Sequence, residues 1–142
     1  MTMLIDINKL KNILSENNYS IVIQSEMGEI LTFNDRGVKT LMKIIDNNPS
    51  FLKNAILADK VIGKAAALLM VFGGVKEVFA LVISTPALMV LEKNNITVSF
   101  DLLTERIKNR KGDGLCPMES LCLNIDNPET AYEKLKEKLN SL

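Results

Sequence analysis

The sequence predicts an α/β domain in which a mixed β-sheet lies between two layers of helices. Three observations predict it: an early hairpin pattern, a nearly continuous apolar strand at 77–84, and helical patterns before and after that strand. The chain has 142 residues, 47% of them hydrophobic, which is enough to bury a real core. We find no linker, repeat or low-complexity tract, so residues 1–142 are predicted to form one domain.

The first elements are predicted to be a helix and a β-hairpin. Residues 5–17 repeat apolar side chains at helical spacing, and Asp6 is placed to cap the helix start. The segments 20–25 and 30–33 are rich in β-forming residues and flank a short turn at 27–29. This pattern is typical of two antiparallel strands.

Two further helices are predicted in the middle of the chain. An apolar helical face follows the hairpin at 38–45, and Pro49 punctuates its end. Residues 51–57 are ambiguous between helical turns and a brief strand. The run 63–72 is apolar nearly all round, which indicates a buried helix, and Gly73-Gly74 ends it.

The last part of the chain is predicted to add a βαβ unit and a terminal helix. The strand at 77–84 is followed by a helix that Thr85-Pro86 is predicted to cap, and residues 96–100 alternate like a second strand. Residues 102–107 have the pattern of a weak helical turn. A solvated C-terminal helix is predicted at about 128–141.

The first candidate site is a polar segment that runs straight into the buried helix. We expect Asp59 and Lys60 to lie in a loop before the helix N-terminus, together with Gly63 and Lys64. Backbone N–H groups and the helix dipole at such a position bind anions. Lys64 interrupts an otherwise apolar run, so either Asp59 or Glu119 neutralises it or its stem is buried and its ammonium reaches water.

The second candidate site lies at a later helix start. Pro117 favours the first turn of a helix, which places Cys116 where the dipole favours a thiolate. Glu119 is either a general acid/base or the acid of a capping box on its own helix. Arg110 and Asp113 precede this helix in a glycine-rich loop and are predicted to contact a ligand. Cys116 is alternatively a small buried hydrophobe.

The residue types present exclude several mechanisms. With no histidine, the chain cannot form a Ser-His-Asp triad, a Cys-His pair or a His-liganded zinc site from its own residues. Cys116 and Cys122 would be about 9 Å apart along one helix, too far for a disulfide. We expect Cys122 to pack in the core. No metal and no cofactor are predicted.

Charge and hydropathy limit the partners. Lys+Arg and Asp+Glu balance at 17 each, so we expect no non-specific nucleic-acid binding. The polar cluster 35–39 and the basic run 106–111 are typical of helix ends, with a binding role for Arg36 as the alternative. The longest apolar run, 65–72, is far shorter than the ~20 residues of a membrane span. With no secretory signal visible, a cytoplasmic protein is expected.

Two motifs carry a resemblance to a known group of proteins. Segment 58–67 (ADKVIGKAAA) and segment 114–119 (GLCPME) resemble an uncharacterised family, a domain of unknown function, within the cytidine deaminase-like superfamily. The resemblance spans about residues 18–123. It implies a three-layer α/β/α fold with a site between two helix starts. Zinc deaminases carry His or Cys, one residue and Glu at the first start and Pro-Cys-x-x-Cys at the second, and neither motif is retained here.

Two functions follow as hypotheses. In the first, the protein binds a small anionic or nucleotide-like ligand and acts on it, with Cys116 as nucleophile or redox group, Glu119 as proton shuttle and Lys64 as oxyanion stabiliser. In the second, it is a non-catalytic ligand-binding or protein-interaction module in which the same residues are structural. A homo-oligomer is compatible with both.

Overall fold

The computed structural model describes residues 6–35, 37–107 and 116–141. Within them, six helices surround one five-stranded sheet, which confirms the predicted α/β class with a mixed sheet. The elements are, in chain order, α1 (Ile7–Glu16), β1 (Ile21–Gln24), β2 (Ile30–Phe33), α2 (Gly37–Asn47), β3 (Ile56–Ile62), α3 (Lys64–Gly73), β4 (Glu77–Ser84), α4 (Thr85–Lys93), β5 (Thr97–Thr104), α5 (Pro117–Cys122) and α6 (Pro128–Asn140).

The strands follow the order β2-β1-β3-β4-β5. The hairpin strand β1 pairs antiparallel with both β2 and β3, whereas β3, β4 and β5 are parallel to one another. Helices α3 and α4 are the crossovers that parallel pairing requires. The carboxyl ends of β3 and β4 therefore lead directly into the starts of α3 and α4.

The two faces of the sheet are covered unequally. Of the six helices described, α1 is the one that supports the smaller core, in which Leu10 and Leu14 pack near Val22, Ile56 and Phe79. The larger core, on the other face, is built with α2, α3, α4, α5 and α6. Helix α1 packs mainly on β1 and β3. On the sheet face that α1 covers, the part near β5 is therefore more open to solvent.

Helix α3 is the most deeply buried element, as its apolar sequence predicts. Ala65 to Met70 are all buried, and Lys64 is the single charged residue of the helix. Gly74 ends the helix with φ of 89°, a left-handed conformation that glycine adopts without strain. Among the described residues, no helix is both long and apolar enough to cross a lipid bilayer.

The predicted helix ends are largely confirmed. The Asp6 carboxylate accepts a hydrogen bond from the Asn8 N–H at 2.9 Å, and Asn127 caps α6 in the same way through the Thr130 N–H. The cap of α4 is Ser84 rather than Thr85, because the Ser84 hydroxyl accepts from the Ala87 N–H. Pro86 lies in the first turn, where its missing N–H costs nothing.

Two sequence predictions about strands were wrong. Residues 56–62 form β3, not a loop leading to a helix, although Asp59 and Lys60 interrupt the apolar pattern. Because successive side chains of a strand point to opposite faces of the sheet, Asp59 and Lys60 lie on different faces, and β3 accommodates one polar residue on each face. Residues 102–104 continue β5, where a helical turn was predicted, because pairing with β4 outweighs the weak local pattern.

Candidate functional site

The start of α3 and the short helix α5 come together through one side chain. Gly63 is the N-cap of α3 and has no side chain to accept its free N–H groups. Glu119 of α5 supplies that acceptor: its Oε2 accepts from the Lys64 N–H at 2.8 Å and its Oε1 from the Ala65 N–H at 3.0 Å. Glu119 is buried, with 8% of the residue exposed. The predicted anion position is therefore filled by the chain's own carboxylate.

Gly63 makes room for this contact. A Cβ at Gly63 would lie 2.3 Å from Glu119 Oε1, which no packed structure accommodates. Its φ of −101° is open to any residue, so the requirement for glycine is steric. Gly63, predicted to contact a ligand, here contacts Glu119. Glu119 was expected to be a general acid/base or to cap its own helix, and its carboxylate instead caps α3.

Lys64 is held by groups that sequence analysis did not select. Its Nζ donates to the Leu123 carbonyl and to Asp126 Oδ1, each at 3.0 Å. The side chain of Lys64 is 10% exposed and that of Asp126 is 79% exposed, so the ion pair lies at the surface end of a buried stem. Lys64 lowers the pKa of the Asp126 carboxyl by hydrogen bond and charge. The expected partners, Asp59 and Glu119, do not bind this ammonium.

Asp59 is buried beneath the start of α2. The residue is 3% exposed, and its Oδ1 accepts from the Val61 N–H at 3.2 Å. Oδ2 has no hydrogen-bond partner among the described residues and lies beside Gly37, where a Cβ would come within 2.8 Å. Burial raises the pKa of this carboxyl to about 7, although two backbone N–H groups oppose the shift.

Lys60 is separated from the other candidates. Its Nζ donates to Asn18 Oδ1 at 2.5 Å, beyond the end of α1, whereas Asp59 faces α2. Lys60 was expected in a loop before the helix N-terminus, and it belongs instead to β3. Arg110 and Asp113, and the alternative candidate Arg36, lie outside the described residues.

The two cysteines occupy different environments. Cys116 is the N-cap of α5, as predicted, and is partly exposed. Cys122 is fully buried in the larger core, also as predicted. Burial raises the pKa of the Cys122 thiol to about 11, and the nearby negative charge of Glu119 adds to the shift.

We expect iodoacetamide to label Cys116 and not Cys122 in the folded protein. At pH 8 a thiol with a pKa near 11 is ionised in about one molecule in a thousand, and Cys122 is in addition closed to solvent. Mass spectrometry of the native, labelled protein would measure each site, with labelling in urea as the control for Cys122. Native labelling of Cys122 at a rate equal to that of Cys116 would contradict the prediction.

A surface groove lies beside Lys64, between α4, the end of β5 and the segment that joins α5 to α6. Its volume is about 870 Å³, within the range of ligand pockets. Both charge types and an apolar strip line it. The lining residues are Lys64, Lys93 and Arg106; Glu92, Glu105 and Asp126; Pro86, Met89 and Val90; and Thr85 and Asn94.

Comparison with known proteins agrees with this architecture. A crystal structure of a DUF1893 family protein (TM1506) from Thermotoga maritima is 24% identical in sequence and superimposes with a TM-score of 0.84, over 97% of this chain and 95% of that one. No curated protein matches the chain. The family model described as TM1506, a domain of unknown function (DUF1893), matches residues 9–139. The chain therefore belongs to the DUF1893 family.

Proposed function

We propose that the protein is a non-catalytic binding module that takes a small nucleotide-like ligand in the groove beside Lys64. The observation that carries the proposal is the position of Glu119, whose two oxygens accept the first N–H groups of α3. Because each oxygen of this carboxylate already accepts a backbone N–H, Glu119 is poorly placed to accept a proton from a substrate. It also keeps a ligand's anionic group away from the start of α3. A ligand is therefore expected at the neighbouring groove.

The catalytic hypothesis loses support from the same contacts. Lys64, its oxyanion stabiliser, already donates to the Leu123 carbonyl and to Asp126. Moving the Lys64 ammonium to a reacting oxygen would break both bonds. Of the three proposed catalytic groups, Cys116 alone has its side chain partly open to solvent. A thiol without a base or an oxyanion donor makes a weak case for covalent catalysis.

We also propose that the fold is a variant of the cytidine deaminase-like architecture. The strand order, the parallel β3-β4-β5 half and the convergence of α3 and α5 support this relationship. The residues do not fit the zinc ion that deaminases hold between two such helix starts. Glu119 oxygens are committed to N–H groups, and burial disfavours the Cys122 thiolate that a zinc ligand requires. No cluster of three Cys, Asp or Glu side chains among the described residues is placed to hold a metal.

The groove offers complementary chemistry for a nucleotide. Pro86, Met89 and Val90 supply an apolar strip on which a base ring can lie, and Met89 is 64% exposed. Lys93 and Arg106 supply cations for a phosphate group. The carboxylates of the groove can accept hydrogen bonds from ribose hydroxyls or an exocyclic amine. The mixed lining favours a small polar ligand with one anionic group over a polyanion.

We expect Lys93→Gln to weaken binding of cytidine or adenosine monophosphate by about tenfold, roughly the 1.4 kcal/mol that one charged contact to phosphate contributes. Lys93 is exposed, so the fold should tolerate the change. Native mass spectrometry and thermal shift with each monophosphate and its nucleoside would measure binding. The matched control is Lys43→Gln, an equally exposed position on α2 outside the groove.

The experiment tests the ligand class and the location of its site separately. Wild-type protein that binds neither monophosphate at about 1 mM would reject the nucleotide class, since useful sites bind more tightly than this. Binding that Lys93→Gln and Lys43→Gln weaken equally would reject the groove as its location. Loss of the monophosphate with retention of the nucleoside in Lys93→Gln would support both the class and the place.

A further inference from the structure

Strand β5 is an edge strand with an unusual number of exposed apolar side chains. Within the described residues, it pairs with β4 on one side and with no strand on the other. Leu102 is 58% exposed, Leu103 44% and Phe100 38%. The opposite edge, β2, has four residues and exposes none of its large apolar side chains to this extent. The β5 edge of the sheet therefore exposes more apolar surface than the β2 edge.

The apolar surface extends from β5 onto the sheet. Val61, Val82 and Leu102 stand in register on β3, β4 and β5, and residues in register on neighbouring strands share a face. Val61 is 45% exposed. Edge strands usually avoid pairing with other chains through proline, lysine or short length. Strand β5 has eight residues and neither of those residue types.

The single charge of β5 is compatible with pairing. Asp101 lies 3.8 Å from Lys11 of α1, and both side chains are about half exposed. An antiparallel partner strand must avoid placing a second carboxylate opposite Asp101, because like charges in cross-strand pairs are destabilising. This condition restricts both the partner and its register.

We infer that β5 is a dimerisation edge whose partner is β5 of a second copy of this chain, paired antiparallel and centred on Phe100. In that register the two Phe100 side chains face each other and Val98 faces Leu102 of the other copy. Asp101 faces a Ser99 hydroxyl, which can donate to it. A register centred on Asp101 would oppose two carboxylates, so the sequence of β5 is self-complementary in the first register and repulsive in the second.

The size of the contact sets the expected affinity. Eight residues at ~3.3 Å each give a paired edge about 26 Å long, a small interface compared with the roughly 1,600 Å² of a standard one. We therefore expect a dimer in reversible exchange with monomers, with a dissociation constant in the micromolar range. The sheet of the dimer would have ten strands and no free β5 edge.

Analytical ultracentrifugation and light scattering over a concentration series test the inference with the full chain. Wild-type protein is expected to be mainly dimeric at about 200 µM and to dissociate on dilution. Leu102→Lys should raise the dissociation constant at least about tenfold, because it puts an ammonium opposite Val98 in both halves of the interface. Met27→Lys is the matched control, since Met27 is 83% exposed in the turn between β1 and β2.

Circular dichroism and thermal melting of each variant establish that it is folded. A wild-type protein that stays monomeric at about 200 µM would overturn the inference, and so would a dimer that Leu102→Lys leaves intact. Ser99→Asp provides a second variant: it places a carboxylate opposite Asp101, and its weakening of the dimer should diminish at high salt. A salt-independent effect of Ser99→Asp would reject the proposed register.

Discussion

Glu119→Ala is expected to lower the free energy of unfolding by about 3–6 kcal/mol, since two buried N–H groups lose charged acceptors worth roughly 1.5–3 kcal/mol each. The N–H groups of Lys64 and Ala65 would be left without a partner at the start of the most buried helix. The favourable interaction of a carboxylate with the helix dipole is lost as well. Urea unfolding followed by circular dichroism measures the change.

A matched control separates this contact from the general effect of removing a helix-terminal glutamate. Glu129 lies in the first turn of α6 and is exposed, so Glu129→Ala should cost less than about 1 kcal/mol. Equal destabilisation by Glu119→Ala and Glu129→Ala would show that the contact between α5 and α3 adds no more to the free energy of unfolding than an ordinary helix-terminal glutamate does.

Gly63→Ala completes a double-mutant cycle on the same contact. Alone, it should destabilise by about 1–3 kcal/mol, because its Cβ overlaps the Glu119 carboxylate. Combined with Glu119→Ala, it should cost almost nothing further, since the overlapping atoms are absent. Additive losses in the double variant would mean that the two residues do not interact.

Asp59→Asn is expected to stabilise the protein at pH 8 and to remove a strong pH dependence. The folded-state pKa of about 7 lies above the ordinary value of 3.8, so between these values the folded protein holds a proton that the unfolded chain releases. The free energy of unfolding therefore falls as pH rises through this window, by about 1.4 kcal/mol per unit and on the order of 4 kcal/mol in total. Above pH 7 this contribution is constant.

The measurement is the difference between Asp59→Asn and wild type in urea unfolding from pH 4 to pH 8. Asparagine cannot ionise, so the variant should gain stability over wild type steadily towards pH 7 and then keep a constant advantage. Asp35→Asn is the control, because Asp35 is exposed and asparagine keeps a side-chain acceptor there. A difference between Asp59→Asn and wild type that does not vary with pH would contradict the buried, protonated carboxyl.

Elements whose apolar pattern matches their burial were predicted correctly from the sequence. Elements whose apolar pattern is interrupted by polar residues were missed. Strand β4 was predicted at its observed bounds because both of its faces are covered. Strand β3 was missed because Asp59 and Lys60 are polar, and only the folded chain places one against α2 and the other beside Asn18. Long, consistent apolar patterns are thus more informative than the short mixed ones.

The candidate site shows the same limit. Gly63, Lys64 and Glu119 were selected because charged residues and glycine beside a buried helix are unusual, and all three do converge. Which groups bond to which depends on contacts 54 to 62 residues apart in the chain. The only sequence signal for Asp126 as the partner of Lys64 is its position just before the final helix. Local pattern does not encode such pairings.

Because Gly63 and Glu119 are in contact, substitutions at these two distant positions are coupled in evolution. A side chain at position 63 displaces the carboxylate from position 119, and loss of that carboxylate leaves the α3 N–H groups without an acceptor. A side chain at position 63 fits at low cost only after the Glu119 carboxylate is lost, and the α3 N–H groups then need another acceptor. In related proteins that lack the pair, Glu119 is therefore expected to have changed before Gly63.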